Sequence, residues 1–269
     1  MASAIAASPA DLPLARRDEI ARRLAAGQPV SAVALAAEFG LSEDAIRRDL
    51  RALAAEGRCR RVYGGALPIA AATLPMAARM AEGRERKEAL ARAGVAGIAA
   101  GELLFLDNGS TNLALVDLLP DDLELSVATN SVDIAAAVLR RPELKLIVVG
   151  GAVDPAVGGC VDAGAVLAVS RMNIHRCFVG ACSVSGSGVS AFHLADATFK
   201  RALLEASHHA LVLATSDKLG SDAPHRVATL REIGTLVLEH DADARTVAAL
   251  SRAGAQVCRA PKPSTPAQG

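Results

Sequence analysis

Residues 41–66 read LSEDAIRRDLRALAAEGRCRRVYGGA. Ser42 is placed to cap a helix, and Ile46, Leu50 and Leu53 follow it at i, i+4 and i+7 as one apolar stripe. At about 100° per residue, Asp44, Arg47, Arg48 and Arg51 gather on the opposite side. Upstream, SAVALAAEFG (31–40) spells a shorter helix with Ser31 as its cap and Gly40 as the turn that follows. Helix, tight turn, helix is the spacing in which a second helix enters the major groove of duplex DNA. Three guanidiniums on an exposed face suit that groove, because Arg bonds bidentately to guanine edges and to phosphates. An RRxxR helix alone is as ordinary as any solvated charged face, so its neighbours matter. Arg58, Arg60 and Arg61 precede Tyr63-Gly64-Gly65, a strand–turn pattern that would set a basic wing against the flanking DNA backbone. Residues 12–67 hold 10 Arg and 7 acidic residues, net +3, in a chain whose formal net charge is zero.

Outward from this stretch the chain divides. Its 269 residues, 51% of them apolar, are enough for a small and a larger domain. The expected organisation is a flexible leader over 1–13, a helical domain over 14–68, a linker over 69–85 and a larger domain over 86–260. Residues 261–269, rich in Pro and small polar residues, are expected to form a disordered tail. In the larger part LLFLD, LSVAT, KLIVVGG, HRCFVGA, HALVLATS, TLVLEH and AQVCRA alternate with helical spacing. Continuous apolar strands alternating with helices predict an α/β domain with a mainly parallel sheet covered on both faces. The five cysteines lack any C-x-x-C and read as reduced thiols. With no signal-peptide pattern and no uncharged run of 18 apolar residues, a cytoplasmic location without a membrane partner is expected. No His/Cys/carboxylate spacing suggests a metal, and no cofactor is expected.

In an open parallel sheet, ligands sit beyond the carboxyl ends of the strands. Those ends read Asp107-Asn108-Gly109-Ser110-Thr111, Thr129-Asn130-Ser131, Gly150-Gly151, Gly180-Ala181 and Ser216-Asp217-Lys218. Small residues let a ligand approach the backbone, and free N–H groups at a helix start favour an anion. Each of these loops has an ordinary reading as a cap or turn, so their coincidence at one sheet edge is the argument. Lysine is scarce, 5 against 24 Arg, and Lys200 and Lys218 lie in or near these loops.

Two sets of residues carry a resemblance. IRRDL followed by YGGA resembles the winged helix-turn-helix of DeoR-type bacterial regulators, whose pattern is approximately V-S-E-x-T-I-R-R-D-L, L-E-x-x-G and R-x-H-G-G-A. Ala45 stands where the family usually has Thr, and Tyr63 where it has His. DNGST, TNS, GG, FVGA, GVSAFHLADATFK and ATSDK resemble the family's sensor domain, which is similar in fold to ribose-5-phosphate isomerase and glucosamine-6-phosphate deaminase. The resemblance implies DNA contacts from Ser42, Asp44, Ala45, Arg47, Arg48, Arg51, Arg60, Arg61 and Tyr63. It implies effector contacts from Asp107, Asn108, Gly109, Ser110 and Thr111, from Thr129, Asn130 and Ser131, and from Gly151, Lys200 and Lys218. Thr215 and Asp217 replace the Asp and Ser of the family's A-D-x-S-K, His175 stands where an Asp is common, and Gly234 and Glu239 also depart, so the effector's identity is not inherited.

The expected function is a transcriptional repressor of a sugar or polyol catabolic operon, a homodimer or homotetramer on double-stranded operator DNA, controlled by a phosphorylated sugar or polyol. Two alternatives stand beside it. One is a sugar-phosphate isomerase or deaminase with an appended DNA-binding domain; the other is a module that binds protein or RNA through the basic helix. An isomerase needs a carboxylate base beside the substrate carbon, and no spacing singles out a base with a partner, so no catalytic residue is expected.

Overall fold

The computed structural model describes residues 13–25, 28, 30–56, 58–62, 64–68, 79–80 and 82–263. The 1–12 part of the expected leader, most of the 69–85 linker, the end of the tail, Tyr63 and the side chain of Arg60 lie outside the described residues. Two compact units are present, Met1–Ala70 and Ala71–Gly269.

In the first unit, α1 (Pro13–Ala25), α2 (Ala32–Phe39) and α3 (Glu43–Ala55) surround one apolar core. Ser31 caps α2 and Ser42 caps α3, each accepting the backbone N–H three residues on. Ile46, Leu50 and Leu53 of α3 are buried against Ile20 and Leu24 of α1. Burying each such side chain is worth ~1.5–3 kcal/mol in transfer free energy. The wing is the antiparallel pair β2 (Cys59–Val62) and β3 (Gly65–Pro68). Its partner β1 (Val30–Ser31) makes a third strand in the order β1-β3-β2 that no sequence pattern announced. Gly65 is required there, because a Cβ would lie 2.0 Å from Val30 O.

The second unit is built on seven parallel strands, and these are the seven apolar runs of the sequence. They are β4 (Leu103–Leu106), β5 (Ser126–Thr129), β6 (Lys145–Val148), β9 (Ile174–Val179), β12 (Ser207–Ala214), β14 (Thr235–Leu238) and β15 (Gln256–Arg259). Their spatial order is β15-β14-β12-β9-β4-β5-β6. Helices α4 (Arg84–Gly94), α5 (Ser110–Val116) and α6 (Val132–Val138) contribute to the core on one face; α7 (Ala163–Val169) and α8 (Leu194–Glu205) contribute to the other, as does Leu250 of α9 (Ala244–Arg252). Two small antiparallel additions were not expected. The hairpin β7 (Val153–Asp154) and β8 (Gly159–Cys160) follows β6. The sheet of β10 (Ser183–Ser185), β11 (Gly188–Ala191) and β13 (His225–Ala228) joins two segments that lie outside the seven apolar runs. Strands of only two to four residues carry no period for a sequence reading to detect. Among the described residues no helix is long and apolar enough to cross a membrane.

Candidate functional site

On α3 the polar face is open. Asp44, Arg47, Arg48 and Arg51 are exposed, Ala45 is half-buried and Ser42 spends its hydroxyl on the cap. Among the described residues Arg47 bonds only within its own helix, to Glu43 at 2.6 Å and Asp44 at 3.5 Å. Exposed pairs of this kind are worth ~0.3–0.5 kcal/mol, so a phosphate or base edge can displace them cheaply. Arg51 donates to the Arg47 carbonyl at 3.3 Å. Arg61 is exposed on β2. Asp49, which the sequence reading passed over, is buried and accepts from Arg16 of α1 at 2.7 Å. The Asp of IRRDL therefore ties α3 to α1 and keeps the arginines on either side of it facing out.

At the carboxyl ends of β4 and β5 the arrangement is the reverse. Asp107, Asn108, Thr111, Thr129, Asn130 and Ser131 come together, and all are buried. Thr129 Oγ1 donates to Leu106 O at 2.6 Å and accepts from Ser131 N at 3.0 Å. Asn130 joins Asn108 N, at 3.2 Å, to Cys160 O, also at 3.2 Å. Ser131 caps α6. These side chains hold loops to one another. Gly180 completes the packing: a Cβ there would sit 2.3 Å from Asn108 O, and its N–H donates to Asp107 Oδ2 at 2.8 Å. Gly151 packs against the Asp162 carboxylate that caps α7, and its carbonyl accepts from Cys160 Sγ at 3.4 Å.

Lys200, expected among the effector contacts, is enclosed instead. It is 1% exposed, paired with Asp107 Oδ2 at 3.2 Å and in closer contact with Asp196. Burial alone would depress its pKa, but Asp107 and Asp196 overcome that and raise it. Burial pushes the Asp107 carboxyl up, against the pull of Lys200, while Asp196 repels its charge. The ammonium is shared between two carboxylates that the sheet could not otherwise bury. Asp107 Oδ1 and Thr111 Oγ1 are buried with no partner among the described residues.

The available cations lie beside this cluster. Arg79, Lys87 and Lys218 line a cavity of about 40 Å³ with Ser110, Thr215 and Asp217. Burial pushes the pKa of Arg79, Lys87 and Lys218 down, as expected where positive charge is partly desolvated. Lys87 Nζ donates to the carbonyls of Arg79 and Glu82, the latter at 2.5 Å, and Arg79 Nη2 donates to Val157 O at 3.3 Å. Arg79 Nε is buried and finds no partner among the described residues. Lys87 and Ser110 also border a larger groove of about 430 Å³ between α4, α5 and α6. Of the cations, only Lys218 was expected. Arg79 lies in the stretch read as a structureless linker, and its scarcity as the one cation among Ala and Met from 69 to 81 was the signal available.

Asp217 and Glu239, two of the departures from the family pattern, meet at Arg86. Its guanidinium is bidentate on Glu239, one arm at 2.8 Å, and reaches Asp217 at 3.4 Å. Glu239 also accepts from Ser216 N at 2.7 Å. Burial alone would raise its pKa, but the bonds from Arg86 and Ser216 pull it down to about 2. One carboxylate thus fastens α4 to the loop that carries Lys218.

Residues 16–71 match the DeoR-like helix-turn-helix domain and residues 82–240 the DeoR C terminal sensor domain. The glycerol-3-phosphate regulon repressor of Escherichia coli (strain K12) is 29% identical over 72% of this chain and 78% of that protein. The HTH-type transcriptional regulator GlpR of Haloferax volcanii is 26% identical over 91% of this chain and 97% of that protein. Among solved structures, the ribose 5-phosphate isomerase A of Methanocaldococcus jannaschii aligns with 51% of this chain and 55% of its own, at 15% identity and a TM-score of 0.39. Because the sensor-domain match alone spans more than half of its length, the chain belongs to the DeoR family of DNA-binding transcriptional regulators.

Proposed function

We propose that this regulator is a repressor whose DNA binding is set by a small phosphorylated sugar or polyol, acting as a homodimer or homotetramer in the bacterial cytoplasm. Residues 14–68 are its DNA-binding domain and 86–260 its sensor, with Arg79 and its neighbours in the intervening segment belonging functionally to the sensor. Arg47, Arg48 and Arg51 enter the major groove, with Ser42, Asp44 and Ala45 at the start of α3 close to the backbone. Arg60, Arg61 and Tyr63 of the wing contact flanking phosphates.

The observation that carries the effector reading is the convergence of Arg79, Lys87 and Lys218 on one cavity. Partly desolvated cations with depressed pKa values gain most from an anion, which restores the charge they have lost to burial. The cavity suits a phosphoryl group, and the groove that shares Lys87 and Ser110 suits the carbon chain attached to it. Asp107, Asn108, Thr111, Thr129, Asn130 and Ser131 shape this end of the sheet, Gly109 leaves it open, and Lys200 offsets the charge of its carboxylates. The glycerol-3-phosphate regulon named for the Escherichia coli relative is consistent with a polyol phosphate. Occupancy rather than turnover is the output: Asp107 and Asp196, carboxylates near the strand ends, are both held by Lys200.

To control DNA binding the effector must prefer one conformation, and couplings of this kind are typically 1–3 kcal/mol. The test is a thermal-shift panel of sugar and polyol phosphates beside their unphosphorylated forms, repeated on Lys218→Ala. A phosphorylated compound should stabilise the protein and the variant should respond less. Equal responses to both forms of every compound would remove the anion reading.

A further inference from the structure

We propose that the β6 edge of the second unit, with the outer stripe of α6, is the surface through which two copies of this chain pair, β6 running antiparallel to β6 of the partner. The inference rests on the reading of the protein as a paired DNA-binding regulator, but its geometry comes from the edge itself. Every parallel sheet has two edges, and proteins ordinarily blunt both against unwanted pairing with charge, proline or cover. The β15 edge here carries Gln256 and Arg259, both exposed. The β6 edge carries Lys145 and then Leu146, Ile147 and Val148, with Ile147 42% and Val148 55% exposed. Helix α6 packs on β5 and β6, and its outward stripe is again apolar: Val132, Ala136 and Leu139, all exposed. Of the ten exposed large apolar side chains among the described residues, five fall between 132 and 153. Val132, Leu139 and Val148 on the α6 side of the strand and Ile147 on its other side together leave roughly 400 Å² open, comparable to the apolar patches that are often functional on monomers. That is about half of what each partner contributes to a standard interface; the strand backbone and polar rim would supply the rest.

The backbone specifies the partner. Lys145 N–H and Val149 N–H bond to β5, at 3.1 and 2.9 Å. Residues of that parity face inward, so Leu146 and Val148 turn their N–H and C=O groups outward, where no strand meets them among the described residues. A two-fold axis through Ile147 sets Leu146 opposite Val148 of a second copy, and the reverse. Four main-chain hydrogen bonds then close, and the sheet continues across the dimer. Lys145, the one charge on the strand, lies opposite Val149 and away from its own copy. The α6 stripes of the two copies meet on the same face. An edge that is complementary to itself about one axis fits a second copy of the same chain.

The experiment measures mass in solution without DNA or effector, so its failure is distinct from failure of the DNA or anion reading. By analytical ultracentrifugation at micromolar concentration the full chain should be a dimer or tetramer. The double variant Ile147→Lys/Val148→Lys should fall to half that mass with its thermal transition retained. Leu194→Lys, at an exposed apolar site elsewhere, should leave the mass unchanged. In a Cys258→Ser background, Ile147→Cys should crosslink to a dimer on oxidation, because directly opposed, non-hydrogen-bonded residues lie about 4.5 Å apart at Cα. Val148→Cys should not crosslink. The cysteine pair decides the matter if the lysine variant fails to fold. A monomeric wild type, an unchanged mass in the folded double variant, or a crosslink at 148 and not at 147 would each overturn the proposal.

Discussion

Helix α3 and the strand ends of the second unit spend their polar groups differently. On α3 the guanidiniums point into solvent and, among the described residues, bond only to near neighbours on the same helix. At the strand ends nearly every polar side chain is buried and committed, Thr129 to Leu106, Asn130 to Cys160, Lys200 to two carboxylates. A helix face can be read from spacing because one period decides both what is buried and what is free. A loop cluster cannot, because its residues meet others that are distant in the chain. In the first region the residues with the right chemistry are the free ones. In the second, the residues at the motif positions build the frame, and Arg79, Lys87 and Lys218 are the charges left over.

The contrast can be broken or sharpened by measurement. The largest effect expected is from Lys200→Met, which strands Asp107 and Asp196 together in the sheet; breaking a buried pair from one side costs about 3–5 kcal/mol. Denaturant unfolding should show that loss, and a variant of native stability would mean that Lys200 is not the counterion of the frame. Next is Arg47→Ala/Arg48→Ala. Two lost contacts at about 1–3 kcal/mol each should weaken operator binding by roughly 100-fold or more with little change in melting temperature. Fluorescence anisotropy at two salt concentrations checks both affinity and the shallower salt dependence. Third, Lys218→Ala should lower affinity for a phosphorylated ligand about tenfold, the ~1.4 kcal/mol expected of one charged hydrogen bond, by calorimetry.

The smallest effects are in pH. Burial depresses the pKa of Lys87 and Lys218, so their charge is present on the acid side and lost as pH rises through the lowered values. Inorganic phosphate should therefore dissociate at a lower alkaline pH than exposed lysines would allow, with proton uptake on binding. Glu239 has the opposite sign. Its pKa is about 2 against a usual 4.5, so it stabilises the fold above 4.5 and that stabilisation fades as pH falls towards 2. Glu239→Gln should flatten the acid limb of a thermal-stability profile, and an unaltered limb would mean the Arg86 pair contributes nothing.

How much was legible follows from the same contrast. All seven strands of the parallel sheet were readable because each is an unbroken apolar run between helical segments. The α3 stripe was readable because Ile46, Leu50 and Leu53 keep one period. Strand β1 was missed because Val30–Ser31 is two residues long and pairs with Ala66 and Gly65. Arg79 was missed because its company in sequence is Ala, Pro and Met, while its partner, the Val157 carbonyl, lies 78 positions away. Asp217 and Glu239 read singly as drift in a pocket. Side by side they are two acceptors for one guanidinium, a relation that no single position could announce.

The Arg86–Glu239–Ser216 fastening has one more implication. The residues it steadies, from 79 to 87, are the first described stretch of the second unit in chain order. Arg79, with which that stretch begins, itself lines the cavity, so the described part of the unit starts among the cations. A molecule that settled there would touch the threshold of the unit directly, with no relay through the sheet.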